Sequence, residues 1–185
     1  MGEAVLRDRL ARRGVDAHVH SAGLMEGGAP ADATSARAMA RRGYDLSAHV
    51  STALSPELVE RADLVIGMAR EHVREAALMA DGALARTFTL KELVRRAEVV
   101  GPRPWRGGGG SAASRAPGDE PFDRWLHVVG QGRRATDLLG SAPDDDVEDP
   151  IGRSRRHHDR VAAEIERLVD AFVALAFPTG APATP

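Results

Sequence analysis

The side chain best suited to moving a proton is Asp149, held in the turn Glu148-Asp149-Pro150. A carboxyl fixed in a proline turn can serve as a general acid or base. Its plainer reading is structural, since Asp-Pro is a common turn and Asp144-Asp145-Asp146 just before it marks a solvated loop. Ser21 and His49, taken singly, read as a capping serine and a surface histidine. His18 with His20 and the pair His157-His158 could suggest a metal, but no carboxylate or thiolate set at ligand spacing accompanies them. No metal and no other cofactor is expected. Gly107 to Gly110 is not a phosphate loop, because its neighbours are Arg106 and Ser111 in a proline-rich tract, with no preceding strand, following helix or lysine. The chain has no cysteine, so it holds no disulfide, no thiolate metal site and no thiolate nucleophile.

The elements that must position these groups belong to one domain. A chain of 185 residues, 43% hydrophobic and 28% charged, is long enough to bury a core of its own. A net charge of -2 with scattered basic residues gives no attraction for nucleic acid. No apolar run is long enough to span a bilayer, and no basic segment followed by a small-residue cleavage site opens the chain. The protein is expected in the cytoplasm, with no membrane partner. Gly2 follows Met1, but Leu6 stands where a myristoylation signal needs Ser or Thr.

Periodicity alternates between strand and helix. Val5, Leu6 and Leu10 share one face of a helix from Glu3 to Arg13 that Gly14 ends. Asp16 to His20 alternates as a short strand. Asp32 caps a helix carrying Ala36, Met39 and Ala40 inward to Gly43, and Ser55-Pro56-Glu57 starts another. Asp63 to Met68 suits a buried parallel strand, followed by a helix from about Glu71 to Met79. Arg86 to Thr89 is a further strand, and Thr89 with Glu92 forms a capping box for Leu90 to Val99. Phe122, Trp125, Leu126 and Val129 make one face of a short helix, and Val161 to Leu175 the inward stripe of the last one. The fold class is α/β with crossover helices over residues 1-177. A Gly/Pro-rich insertion at about 101-121 reads as a surface linker, and 178-185 as a frayed tail.

An ordered set of stretches carries a family resemblance: the first helix, Ser21-Ala22-Gly23, Gly28-Ala29-Pro30, Asp45-Leu46-Ser47-Ala48-His49, Ala62 to Met68, and Val147 to Pro150 before the last helix. Together they resemble the low-molecular-weight protein tyrosine phosphatases, whose fold also hosts a class of arsenate reductases. The similarity covers about residues 1-90 and 143-177. It implies a three-layer α/β domain around a short parallel sheet in order 2-1-3-4, and hydrolysis of phosphate monoesters through a phosphocysteine.

The resemblance assigns Asp149 the general acid role, with a switch to base when the phosphocysteine is hydrolysed. It gives Ser21 and His49 the task of holding the phosphate loop in shape through that loop's asparagine. It aligns Met1 with the methionine after the family's Cys-x5-Arg-Ser-Pro loop, which implies that the loop and the interior first strand lie off the start of this chain. The chain as given is then expected to be inactive. With the loop restored, its partner would be a phosphorylated protein or a small phosphate monoester. The alternatives are a non-catalytic phosphatase-like binding module or relic, and more remotely an arsenate reductase relative, which would need further cysteines. Family members often carry aromatic residues beside the cleft. Here those places hold Leu24 to Gly27 and Ile151-Gly152, so a preference for phosphotyrosine is not expected.

Overall fold

The computed structural model describes residues 1-104, 121-138 and 143-178. Most of the expected insertion, from 105 to 120, and nearly all of the expected tail lie outside the described residues.

Helix α1 (Gly2–Arg12) is followed by α2 (Ala33–Ala40) and α3 (Pro56–Arg61), then strand β1 (Val65–Gly67), α4 (Arg70–Met79), β2 (Thr87–Thr89), α5 (Leu90–Val100), α6 (Pro121–Gly130) and α7 (Arg155–Ala176). The local signals explain most boundaries. Asp32 accepts hydrogen bonds from the amides of Thr34 and Ser35, Ser55 caps α3 ahead of Pro56, and Thr89 Oγ1 accepts the Glu92 amide at 3.1 Å. Only half of the capping box at Thr89 forms, because the Glu92 carboxylate turns instead to Arg96 and Arg133. Gly14 and Gly43 take φ of 66° and 87° where α1 and α2 end, a region that side chains with a Cβ avoid.

β1 and β2 pair in parallel, Val65 opposite Thr87 and Gly67 opposite Thr89. Both faces are covered, as a parallel sheet requires. Leu64, Ile66 and Phe88 belong to the main core, while Val65 packs on a smaller cluster of Val59, Ala76 and Ala83 under α3 and α4. The main core is organised by α7, which packs against α1, α2 and α5 and buries Val161, Ile165, Leu168, Val169 and Phe172. No helix among the described residues is long and apolar enough to cross a membrane.

Two expectations change. Ala40 is exposed and Ala38 buried, because α2 meets α7 along Ser35, Ala38 and Met39. The expected strand at 16-20 has no ladder. It runs beside α1, where the Arg7 guanidinium donates to the Val19 carbonyl at 2.9 Å, and a cleft of about 1880 Å3 separates it from β1. Residues such as Val15, Val19, Leu64, Ile66 and Phe172 line that cleft. Alternation makes a segment able to be a strand, but only a neighbour's hydrogen bonds make it one.

Phe172 is 2% exposed and touches Phe177 edge-on, so Phe172→Ala removes a buried ring where the core borders the cleft. A cost of about 3 to 5 kcal/mol is expected. Urea unfolding checks it, and a midpoint equal to that of the parent chain would show that α7 does not organise the core.

Candidate functional site

The first turn of α1 lies against the C-terminal end of β1: a Cβ placed on Gly2 would meet Met68 Cε at 3.0 Å. The α1 N-cap, Met1, makes no side-chain capping bond, so the first amides of the helix have no side-chain acceptor there. A helix N-terminus of this kind favours negative charge.

Glu3 supplies a carboxylate at this place, and the two sequence-predicted support residues converge on it. Ser21 Oγ donates to Glu3, the Arg7 guanidinium donates to the same carboxylate, and His49 Nδ1 lies 3.7 Å from Glu3 Oε2. Burial pushes the Glu3 carboxyl up, but the Ser21 hydroxyl, Arg7 and His49 outweigh it and hold the group below its ordinary value. Sequence reasoning paired Ser21 with His49 but missed Glu3, a first-turn helix acid of very common kind.

Asp149 is exposed, and its Oδ1 accepts the Ile151 amide at 2.9 Å, which fixes the turn around Pro150. Among the described residues no hydrogen bond or ion pair links Asp149 to Glu3, Ser21 or His49. What places its loop is a set of anchors. The Val147 amide donates to the Met68 carbonyl at 2.7 Å, continuing from the end of β1. Asp146 Oδ1 accepts the Arg70 amide at 2.8 Å at the start of α4. Glu148 pairs with Arg160 and has His157 Nε2 at 3.3 Å.

The plain reading of Asp144-Asp145-Asp146 as a solvated loop fits Asp144, which is exposed, but not Asp145, which is 4% exposed. Arg70 Nη2 reaches it at 2.7 Å, and Arg95 grips its other oxygen. Burial pushes its carboxyl up, and the two guanidiniums more than reverse this, holding it below the usual aspartate range. A run of three acids looks solvated in sequence, because the arginines that pair with one of them lie about 50 and 75 residues away.

His158 is buried, with Nδ1 at 3.1 Å from the Ser154 carbonyl and Nε2 3.3 Å from the Asp32 carboxylate, and so links α7 to the cap of α2. His18 and His20 are exposed. Leu24 and Met25, a few residues after Ser21, and Ile151, two after Asp149, are exposed and aliphatic.

Because the Glu3 pKa is lowered in the fold, its contribution is fully present above the unfolded value, about 4.3, and is lost as pH falls through the folded value. The parent chain is therefore expected to be more stable than Glu3→Gln at neutral pH, with the gap closing below about pH 4. Urea midpoints at both pH values measure it, and a gap independent of pH would mean that the Glu3 charge holds nothing.

The chain is similar to known proteins. The family model for low molecular weight phosphotyrosine protein phosphatase matches residues 1–110. The protein-arginine-phosphatase of Bacillus subtilis (strain 168) is 34% identical over 95 residues, which are 51% of this chain and 63% of that protein. The match thus spans less than two thirds of that relative's length. Among solved structures, a low molecular weight protein tyrosine phosphatase from T. tengcongensis superposes with a TM-score of 0.62 at 23% identity, covering 93% of this chain and 86% of that one. A YwlE mutant from Bacillus subtilis gives 0.61 at 24% identity, covering 92% and 84%. At these identities the structures show a shared fold. With the family match spanning more than half of its residues, this chain belongs to the low molecular weight phosphotyrosine protein phosphatase family.

Proposed function

We propose that the chain carries the proton-transferring and loop-supporting groups of a phosphatase that works through a cysteine thiolate on phosphorylated protein. The observation that carries this reading is the hydrogen bond from Val147 to the Met68 carbonyl, 2.7 Å, which draws the Asp149 turn to the C-terminal end of β1 beside the first turn of α1. In open parallel sheets ligands bind outside the carboxyl ends of the strands, and an anion there gains from the helix N-terminus.

The chemistry follows in two steps. Attack of a thiolate on phosphorus forms the S-P bond and breaks the bond to the leaving atom, which takes a proton from the Asp149 carboxyl. Water then attacks phosphorus, Asp149 accepts a proton from it, and phosphate leaves as the thiolate returns. Ser21, His49 and Glu3 hold the first turn of α1 and the segment beside it, where an oxyanion cradle must be rigid to be useful. None of the 185 residues is cysteine, so this chain by itself does not complete the cycle.

Phosphoarginine is the substrate class put ahead of phosphotyrosine. The arginine phosphatase relative supports this choice, as does the aliphatic rim of Leu24, Met25 and Ile151, which gives an aryl ring no aromatic partner. A second reading, a module that holds phosphorylated protein without cleaving it, is favoured by the absence of cysteine alone.

The chain of residues 1-185 is expected not to hydrolyse p-nitrophenyl phosphate. Turnover above a buffer blank that survives Asp149→Asn as a contamination control counts against the thiolate mechanism. With a strand and a Cys-x5-Arg-Ser-Pro loop fused ahead of Met1, activity should appear and should favour a phosphoarginine peptide over a phosphotyrosine peptide. In that fusion Asp149→Ala should slow phenyl phosphate by about 10²-fold or more and p-nitrophenyl phosphate far less, because a basic leaving oxygen needs the proton most. Equal losses on both esters would reduce Asp149 to a turn residue.

A further inference from the structure

A second cleft, of about 380 Å3, lies between the start of α4, α5 and the 3-10 turn at Ala135–Leu138. Five arginines line it, Arg70, Arg95, Arg96, Arg133 and Arg134, against the three carboxylates of Glu92, Asp137 and Asp145. The pairing is unequal. Glu92 is gripped twice, by Arg96 Nε at 2.9 Å and Arg133 Nε at 2.8 Å. Asp145 is gripped by Arg70 and Arg95. Asp137 spends its carboxylate on the Arg134 backbone amide, at 2.9 Å, and on no guanidinium among the described residues.

Two consequences follow from electrostatics. The cleft carries more positive than negative charge, with Arg134 exposed and Arg95 still 55% exposed beside its partner. Two guanidiniums around one carboxylate also form a cradle that suits any small oxyanion, since planar N-H forks match carboxylate and phosphate oxygens alike. Asp145 is then an internal anion in a site that an external one can contest.

We propose that this cleft binds inorganic phosphate between Arg95 and Arg134, and that binding draws Arg95 away from Asp145 and loosens the loop that carries Asp149. The coupling is short: Asp145 lies two residues before Val147, the residue that ties this loop to Met68. Phosphate is also what any phosphatase releases, so such a site would let product act on the acid loop from outside the reaction centre. The inference does not require the chain to be catalytic.

The test uses the 185-residue chain, titrated with phosphate against chloride at constant ionic strength by calorimetry, with amide hydrogen exchange followed over residues 143-150. Saturable binding is expected, weakened about tenfold by Arg134→Gln and by Arg95→Gln, the worth of one hydrogen bond between charged groups. Asp145→Asn should bind about tenfold more tightly, because the internal competitor has lost its charge. Exchange over the loop should rise as phosphate fills the site. Absence of saturable binding, or unchanged affinity in Arg134→Gln, overturns the site and in the latter case moves the phosphate elsewhere, such as the first turn of α1. Binding with no change in loop exchange overturns the coupling. Arg134 is exposed, so its variant decides the question even if Asp145→Asn fails to fold.

Discussion

A parallel strand hydrogen-bonded on one side only sets the terms for this molecule. β1 pairs with β2, while across its other edge, among the described residues, the cleft separates it from the segment at 16-20. The cleft is lined by apolar residues such as Val15, Val19, Leu64 and Ile66 together with polar ones such as Asp16, His18 and Ser21. Everything around it is arranged as if that geometry were fixed. Residues of both walls, Val15 and Val19 on one side and Leu64 and Ile66 on the other, pack against the core that α1 and α7 build, while α3 and α4 cover β1 from its other face.

Charge, more than apolar contact, holds the loop that carries Asp149. The loop before Asp149 has one buried apolar anchor, Val147, and is otherwise fastened by Asp145, Asp146 and Glu148 to Arg70, Arg95 and Arg160. Such fastening can be strong and yet reversible, since it answers to pH, salt and competing anions in a way that a packed leucine does not.

Arginine plays an equally large structural part beside β2. Arg133, 4% exposed in its side chain, stacks over Phe88 at 4.0 Å and donates to the Leu84 and Thr87 carbonyls while pairing with Glu92. One side chain thus satisfies the start of β2, closes the preceding turn and neutralises a buried acid.

The sequence alone determined the elements whose causes are local. Caps at Asp32, Ser55 and Thr89, glycine stops at Gly14 and Gly43, and the stripe of α7 are each written within a few residues, and the structure keeps them. It also ordered the stretches that mark the family, because those are matters of residue type and succession. Tertiary structure decided what depends on distant partners. Asp16 to His20 alternates like a strand but has no ladder without a neighbour, and Asp145 reads as solvated until Arg70 and Arg95 bury it. Glu3 becomes the meeting point of Ser21 and His49 only when the chain folds back through 18 and then 46 residues. Hydrogen bonds and ion pairs act over about 3 Å in space and are indifferent to separation along the chain, so no local pattern records them.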